Sequence, residues 1–188
     1  TFVSSNLAMS IAQTNKKVVL VDVDIRKGTL SGIFSNSSGR MGLTHYLSGR
    51  TDDLNDIIGT SEEYGKLDII FSGPVPPNPA ELLLSERFDH LIAELRKQYD
   101  YIIVDNVPAG MVADASIVNR VADLTIFVVR SGVMDRRQLP ELEKMYREEQ
   151  LRNMSVILNG VSYERKGYGY GYGYGYGYGY GYGYGNDT

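Results

Sequence analysis

The chain has 188 residues, 43% of them hydrophobic, a formal net charge of −4 and no cysteine. That length supports one good core, and the lack of cysteine excludes a disulfide framework and thiolate metal sites, which fits a reducing compartment. Lys and Arg are scattered without a basic block, so nothing points to nucleic acid, and no apolar run approaches the ~20 residues of a membrane helix.

In chain order, Thr1 to Ile11 reads as an amphipathic helix already under way, with Val3, Leu7 and Ile11 on one stripe. Lys16 and Lys17 then lead into Val18-Val19-Leu20-Val21, a run of aliphatic residues expected to form a strand buried on both faces. The run stops in charge: Asp22 and Asp24 at alternate positions, followed by Arg26 and Lys27. Carboxylates that emerge where a parallel strand meets its loop sit at the edge where open α/β sheets bind ligands. Their chemistry suits Mg²⁺, which takes few carboxylates together with waters and phosphate oxygens.

Gly42 to Gly49 predicts a short helix ending at glycine, and Leu67 to Phe71 a strand. In the segment that follows, Asn78 is expected as an N-cap, Pro79 as the first helical residue and Glu81 as the partner in a capping box. The helix continues through Phe88, Leu91, Ile92 and Leu95. His45 and His90 have no second ligand at metal spacing and read as structural. Tyr101-Ile102-Ile103-Val104-Asp105 is a second hydrophobic run that ends in a carboxylate, so two acidic strand ends stand ready to face one metal.

Asp114 to Val118 predicts a short helix, and Leu124 to Arg130 a buried strand whose terminal cation either guards a phosphate or finds a surface partner. Asp135 to Leu151 reads as a helix with Leu139, Leu142, Met145 and Tyr146 near one stripe. Ser155 to Val161 is the last strand, and Asn159 before Gly160 fits a turn. Strands alternating with helices, with continuous hydrophobic runs, predict an α/β fold: a mainly parallel sheet with helices on both faces. Strand order stays open. The expected domain spans residues 1–166; residues 167–188 alternate Gly and Tyr before Asn186-Asp187-Thr188, a disordered tail by composition. Stretched out, about twenty such residues span on the order of 65 Å.

Val18 to Arg26 resembles the Walker A′ motif of the bacterial tyrosine kinases, Asp-x-Asp-x-Arg after aliphatic residues, and Tyr101 to Pro108 resembles their Walker B. Asp105-Asn106-Val107-Pro108 departs from the usual Asp-Thr/Ser-Pro-Pro but keeps the carboxylate. Gly73 to Leu83 closely resembles the proline-rich box these kinases carry, which the related partition and septum-site ATPases are not expected to share. Thr1 fits the last position of a P-loop, Gly-x-x-x-x-Gly-Lys-[Ser/Thr], so the resemblance implies that the phosphate-cradling glycines, the lysine and their strand lie upstream, and that this polypeptide alone turns over ATP weakly or not at all.

The resemblance implies a P-loop NTPase fold of the Walker A′ branch and transfer of the γ-phosphoryl of Mg²⁺-ATP to tyrosine. Thr1 and Asp105 would hold the metal, Asp24 would assist its hydration shell, and Asp22 would orient or deprotonate the phenol. Arg26 would serve the nucleotide, and Asn159 would contact the base if it is not simply a turn. The acceptors would be Tyr168, Tyr170, Tyr172, Tyr174, Tyr176, Tyr178, Tyr180, Tyr182 and Tyr184, modified in trans. Implied partners are other copies of the chain in a ring, with each tail in a neighbour's site, a tyrosine phosphatase, and the machinery of exopolysaccharide or capsule assembly and export. The domain would be the cytoplasmic end of an inner-membrane protein. Two other readings stand beside this one: a partition or septum-site type ATPase, and a non-catalytic nucleotide-binding scaffold whose tail recruits partners.

Overall fold

A computed structural model of the chain describes residues 1–28, 30–34, 41–61, 66–107 and 117–161. The tail tyrosines Tyr168 to Tyr184 and the expected helix start at Asp114 lie outside the described residues. No helix among the described residues is long and apolar enough to cross a membrane.

The centre is β1 (Val18–Asp22), in which all five residues are buried. It pairs in parallel with β3 (Leu67–Ile70) on one side and with β4 (Tyr101–Asp105) on the other. The edge strand β2 (Ile58–Ser61) runs antiparallel to β3, which gives the order β2-β3-β1-β4. β2 had no counterpart among the expected elements. Isoleucine followed by Gly-Thr-Ser carries no alternation, and the strand exists because β3 offers it a ladder.

The four-stranded sheet is covered on both faces, as the continuous apolar runs of β1 and β3 require. Leu20, Val18, Leu67 and Ile69 pack beneath α1 (Phe2–Ala12), while Val19, Val21 and Ile70 face α4 (Glu86–Gln98) through Phe88, Leu91 and Leu95. α1 corrects the expected stripe: its buried residues are Ser5, Ala8 and Ala12, with Val3, Leu7 and Ile11 only half-buried. Small side chains let the helix backbone come close to the sheet, and close approach decided which face turned inward.

β5 (Thr125–Arg130) and β6 (Met154–Asn159) form a separate two-stranded parallel sheet. Here the expectation of a buried strand fails for β5, and β6 is exposed with it. Val128, Val156, Ile157 and Leu158 are exposed, and α5 (Leu139–Arg147) covers only the end of the pair, where Met145, Leu151 and Met154 make a small core of their own. The outer edges of β4 and β5 are unpaired among the described strands, so the two sheets share no ladder.

The short α2 (Leu43–Leu47) and the segment after β3 cross at two glycines. Gly73 has φ of +80°, and a Cβ there would stand 2.6 Å from Thr44 Oγ1 and 3.3 Å from Gly42 Cα. Gly73→Ala is expected to cost about 1–2 kcal/mol, read as a lower urea midpoint with an unchanged slope. The proline-rich segment then starts α3 (Pro79–Leu84) with Asn78 as N-cap and Pro79 first. The capping box is corrected in detail: Asn78 makes no side-chain bond to the helix backbone, and its amide donates instead to Glu81 Oε2 at 2.7 Å. The chain kinks at extended Ser85 before α4, so the expected single helix is two.

Candidate functional site

Parallel pairing of β1 with β4 sets Asp22 directly opposite Asp105. Both strands end there, so the two carboxylates share one edge of the sheet. The chain beyond β1 then turns tightly: Asp24 O accepts from Lys27 N–H at 3.2 Å and from Gly28 N–H at 2.8 Å, while Asp24 Oδ1 accepts from the same Lys27 N–H. Gly28 has φ of +59°, and a Cβ on it would lie 2.6 Å from Ser72 Oγ, so this turn requires glycine. The turn holds Asp24 beside the other two acids, and Val23 N–H donates to Asp105 O at 3.0 Å.

All three carboxylates are buried: Asp22 is 0%, Asp24 7% and Asp105 5% exposed. Asp22 accepts from Asp24 N–H at 3.1 Å and from Leu30 N–H at 3.4 Å. Its pKa is nevertheless pushed up to about 6. Burial is the main cause; the N–H of Leu30 pulls the other way, and the charges of Asp105 and Asp24 add to the rise. A buried group of acids that repel one another is a site that a cation relieves.

Thr1 stands at the same place. It is the N-cap of α1, and Ser4 Oγ, one turn on, lies 2.8 Å from Thr1 O and 2.6 Å from Asp105 Oδ1. Ser4, which is not among the expected site residues, thus stands between Thr1 and Asp105. Among the described residues no three Asp, Glu, His or Cys side chains form a metal-holding group by themselves. The carboxylates at this edge are hard oxygen donors suited to a Mg²⁺ that keeps waters and phosphate oxygens in its shell, so the residues present fit that ion.

Arg26 follows Asp24 in the turn and lines a narrow crevice with Val23, Ile25, Pro79, Leu83 and Asn106. The proline-rich box thus stands against the loop after β1. Asn159 ends β6 in the chain's second sheet, paired with Arg130. Its side-chain oxygen accepts from Gly160 N–H at 2.8 Å, and Gly160 has φ of +70°, so the turn geometry is present. His45 Nδ1 accepts from Gly42 N–H at 3.0 Å and His90 Nδ1 meets Tyr46 Oη at 2.9 Å, which makes both structural.

Acidic strand ends side by side on a mainly parallel sheet define a nucleotide-binding α/β domain of the P-loop class, and residues 1–156 match the family model described as an AAA domain. The tyrosine-protein kinase CpsD of Streptococcus agalactiae is 37% identical over 159 residues, which are 85% of this chain and 68% of that protein. The kinase domain of the Escherichia coli tyrosine kinase ETK superposes with a TM-score of 0.78 at 38% identity, covering 92% of this chain and 66% of that one. The chain belongs to the bacterial tyrosine kinases. It spans only 22% of the full Escherichia coli etk protein. A septum site-determining MinD from Pyrococcus horikoshii, solved with Mg-ADP, shares the fold with a TM-score of 0.64 at 22% identity over 83% of this chain and 63% of that one.

Proposed function

We propose that this chain is the catalytic part of a protein-tyrosine autokinase that transfers the γ-phosphoryl of ATP to tyrosines of the Gly-Tyr tail in trans. Mg²⁺-ATP supplies the phosphoryl group and neutralises the charge that develops on it. Thr1 and Asp105 hold the metal, Asp24 orders water around it, and Arg26 and Asn159 serve the nucleotide. Asp22 accepts the phenol proton of the incoming tyrosine. The observation that supports this most is the register of Asp22 against Asp105 at a common strand edge, with Asp24 in the next turn. Burial, the largest cause of the raised Asp22 pKa, also makes its carboxylate a better proton acceptor than an ordinary aspartate.

Phosphorylation of the tail adds about −1.5 to −2 charges per tyrosine, so a few phosphates rival the −4 of the whole chain. The working picture is a ring of copies held by tails in neighbouring sites, loosened as charge accumulates and restored by a phosphatase. Through a membrane-embedded parent, this cycle would regulate exopolysaccharide or capsule export.

A mixing experiment tests the reading. A full-length Asp22→Asn protein with an intact tail is combined with an active protein in which Tyr168 to Tyr184 are all phenylalanine. Phosphotyrosine is expected on the Asp22→Asn partner's tail, and its absence from the mixture, with activity toward an added tyrosine peptide intact, refutes transfer between copies. Deleting residues after Lys166 is expected to remove the autophosphorylation signal.

A further inference from the structure

Ser4 lies one turn along α1 from Thr1, and its Oγ reaches two acceptors: Asp105 Oδ1 at 2.6 Å and Thr1 O at 2.8 Å. A hydroxyl has one proton to give. Thr1 O already accepts from Ser5 N–H at 2.9 Å and from Ser5 Oγ at 2.8 Å, so it is satisfied without Ser4. The carboxylate is charged and nearer, and a charge-assisted bond is the stronger one. The Ser4 proton belongs to Asp105.

The Ser4 hydroxyl falls on Asp105 Oδ1, and among the described residues no side chain donates to Oδ2. Asp105 is otherwise fixed only through its backbone, where its carbonyl takes the Val23 N–H. We infer that Ser4 is a positioning residue of the kinase site: its hydroxyl clamps Asp105 Oδ1, fixes the carboxylate's rotamer and leaves Oδ2 to face the cation. This rests on the reading of Asp105 as a metal ligand. Ser4 does not touch nucleotide or phenol in this role. It acts through the carboxylate, as an outer-sphere partner that orients a ligand.

The test is metal dependence in the full-length protein. ADP binding is followed by calorimetry while Mg²⁺ is varied, with ADP affinity in chelator and the melting temperature measured alongside. Ser4→Ala is expected to raise the Mg²⁺ concentration at half-effect about tenfold, the low end for loss of an outer-sphere partner, and Ser4→Thr is expected to restore it. ADP affinity in chelator and the melting temperature stay at the parent values, which a merely structural serine would not guarantee. A Ser4→Ala midpoint equal to the parent's overturns the inference. Asp105→Asn separates the two levels: a shift there without one in Ser4→Ala sinks only the Ser4 clamp. No shift in either sinks the clamp together with the assignment of Asp105 to the metal.

Discussion

Asp22→Asn is expected to stop labelling of the tail and, in the metal-free protein at pH 8, to make the fold more stable. Both effects come from one buried charge. Loss of a proton acceptor costs about 10²–10⁴ in rate, while nucleotide affinity, which Asp22 does not serve, changes little. The stability effect follows from linkage. Burial lifts the folded-state pKa from 3.8 to about 6, so between those values the native chain holds a proton that the unfolded chain has released. Stability therefore falls as pH rises through that window, and above it the native state carries the whole penalty, about 3 kcal/mol for a shift of this size.

Asparagine removes that penalty and gives up part of the bonding to Asp24 N–H and Leu30 N–H, which costs about 1 kcal/mol. A net gain of about 1–2 kcal/mol at pH 8 is expected, equivalent to a melting temperature higher by about 4 °C. The gain should vanish at pH 4, where the native carboxyl is already protonated. Thermal melts of both proteins in chelator across pH 4 to 8 check this. A variant that is less stable at pH 8 would mean that the acid is there for the fold, and unchanged tail labelling would remove Asp22 from the chemistry.

The acids themselves were legible in the sequence because each closes a hydrophobic run, and a carboxylate at the end of a buried strand is costly unless it serves something. That the two strand ends face one site was expected, but the strand order that makes β1 and β4 direct neighbours was not legible. β1 and β4 are separated by β2, β3 and three helices, and which strands adjoin depends on how the crossovers pack, which no local pattern records. Burial of β5 was overestimated for a related reason. Val, Ile and Leu in a row report strand propensity, and whether such a strand is covered depends on partners elsewhere in the chain. Ser4 left a weak signal: it stands three residues after Thr1, so the two share a helix face. A serine on a helix is ordinary until a carboxylate is found opposite it.

Arg120 carries the second large effect, because it joins the two sheets that no strand ladder connects. From the turn before β5, its guanidinium donates to Asp89 Oδ1 at 2.9 Å, Ile117 O at 2.8 Å and Leu83 O at 2.7 Å, and it lies 5.5 Å from the centre of the Phe88 ring. These contacts seat the chain leading to β5 and β6 on α3 and α4. Besides this hub, Arg96 donates to Val121 O and pairs with Asp123, both on the same turn. With the side chain 30% exposed, part of each bond is replaced by water on removal, so Arg120→Ala is expected to cost about 2–4 kcal/mol rather than the sum of its bonds. Arg120→Lys should recover less than half, because one ammonium cannot reach carbonyls on both α3 and the turn while pairing with Asp89. The cost should fall unevenly. β5, β6 and α5 rest on a small core of their own, so their amides are expected to exchange with solvent at least tenfold faster in Arg120→Ala, while those of β1 and β3 keep their protection at low denaturant. Native-state hydrogen exchange decides it: equal acceleration in both sheets would show that they open as one unit and that Arg120 is not their joint.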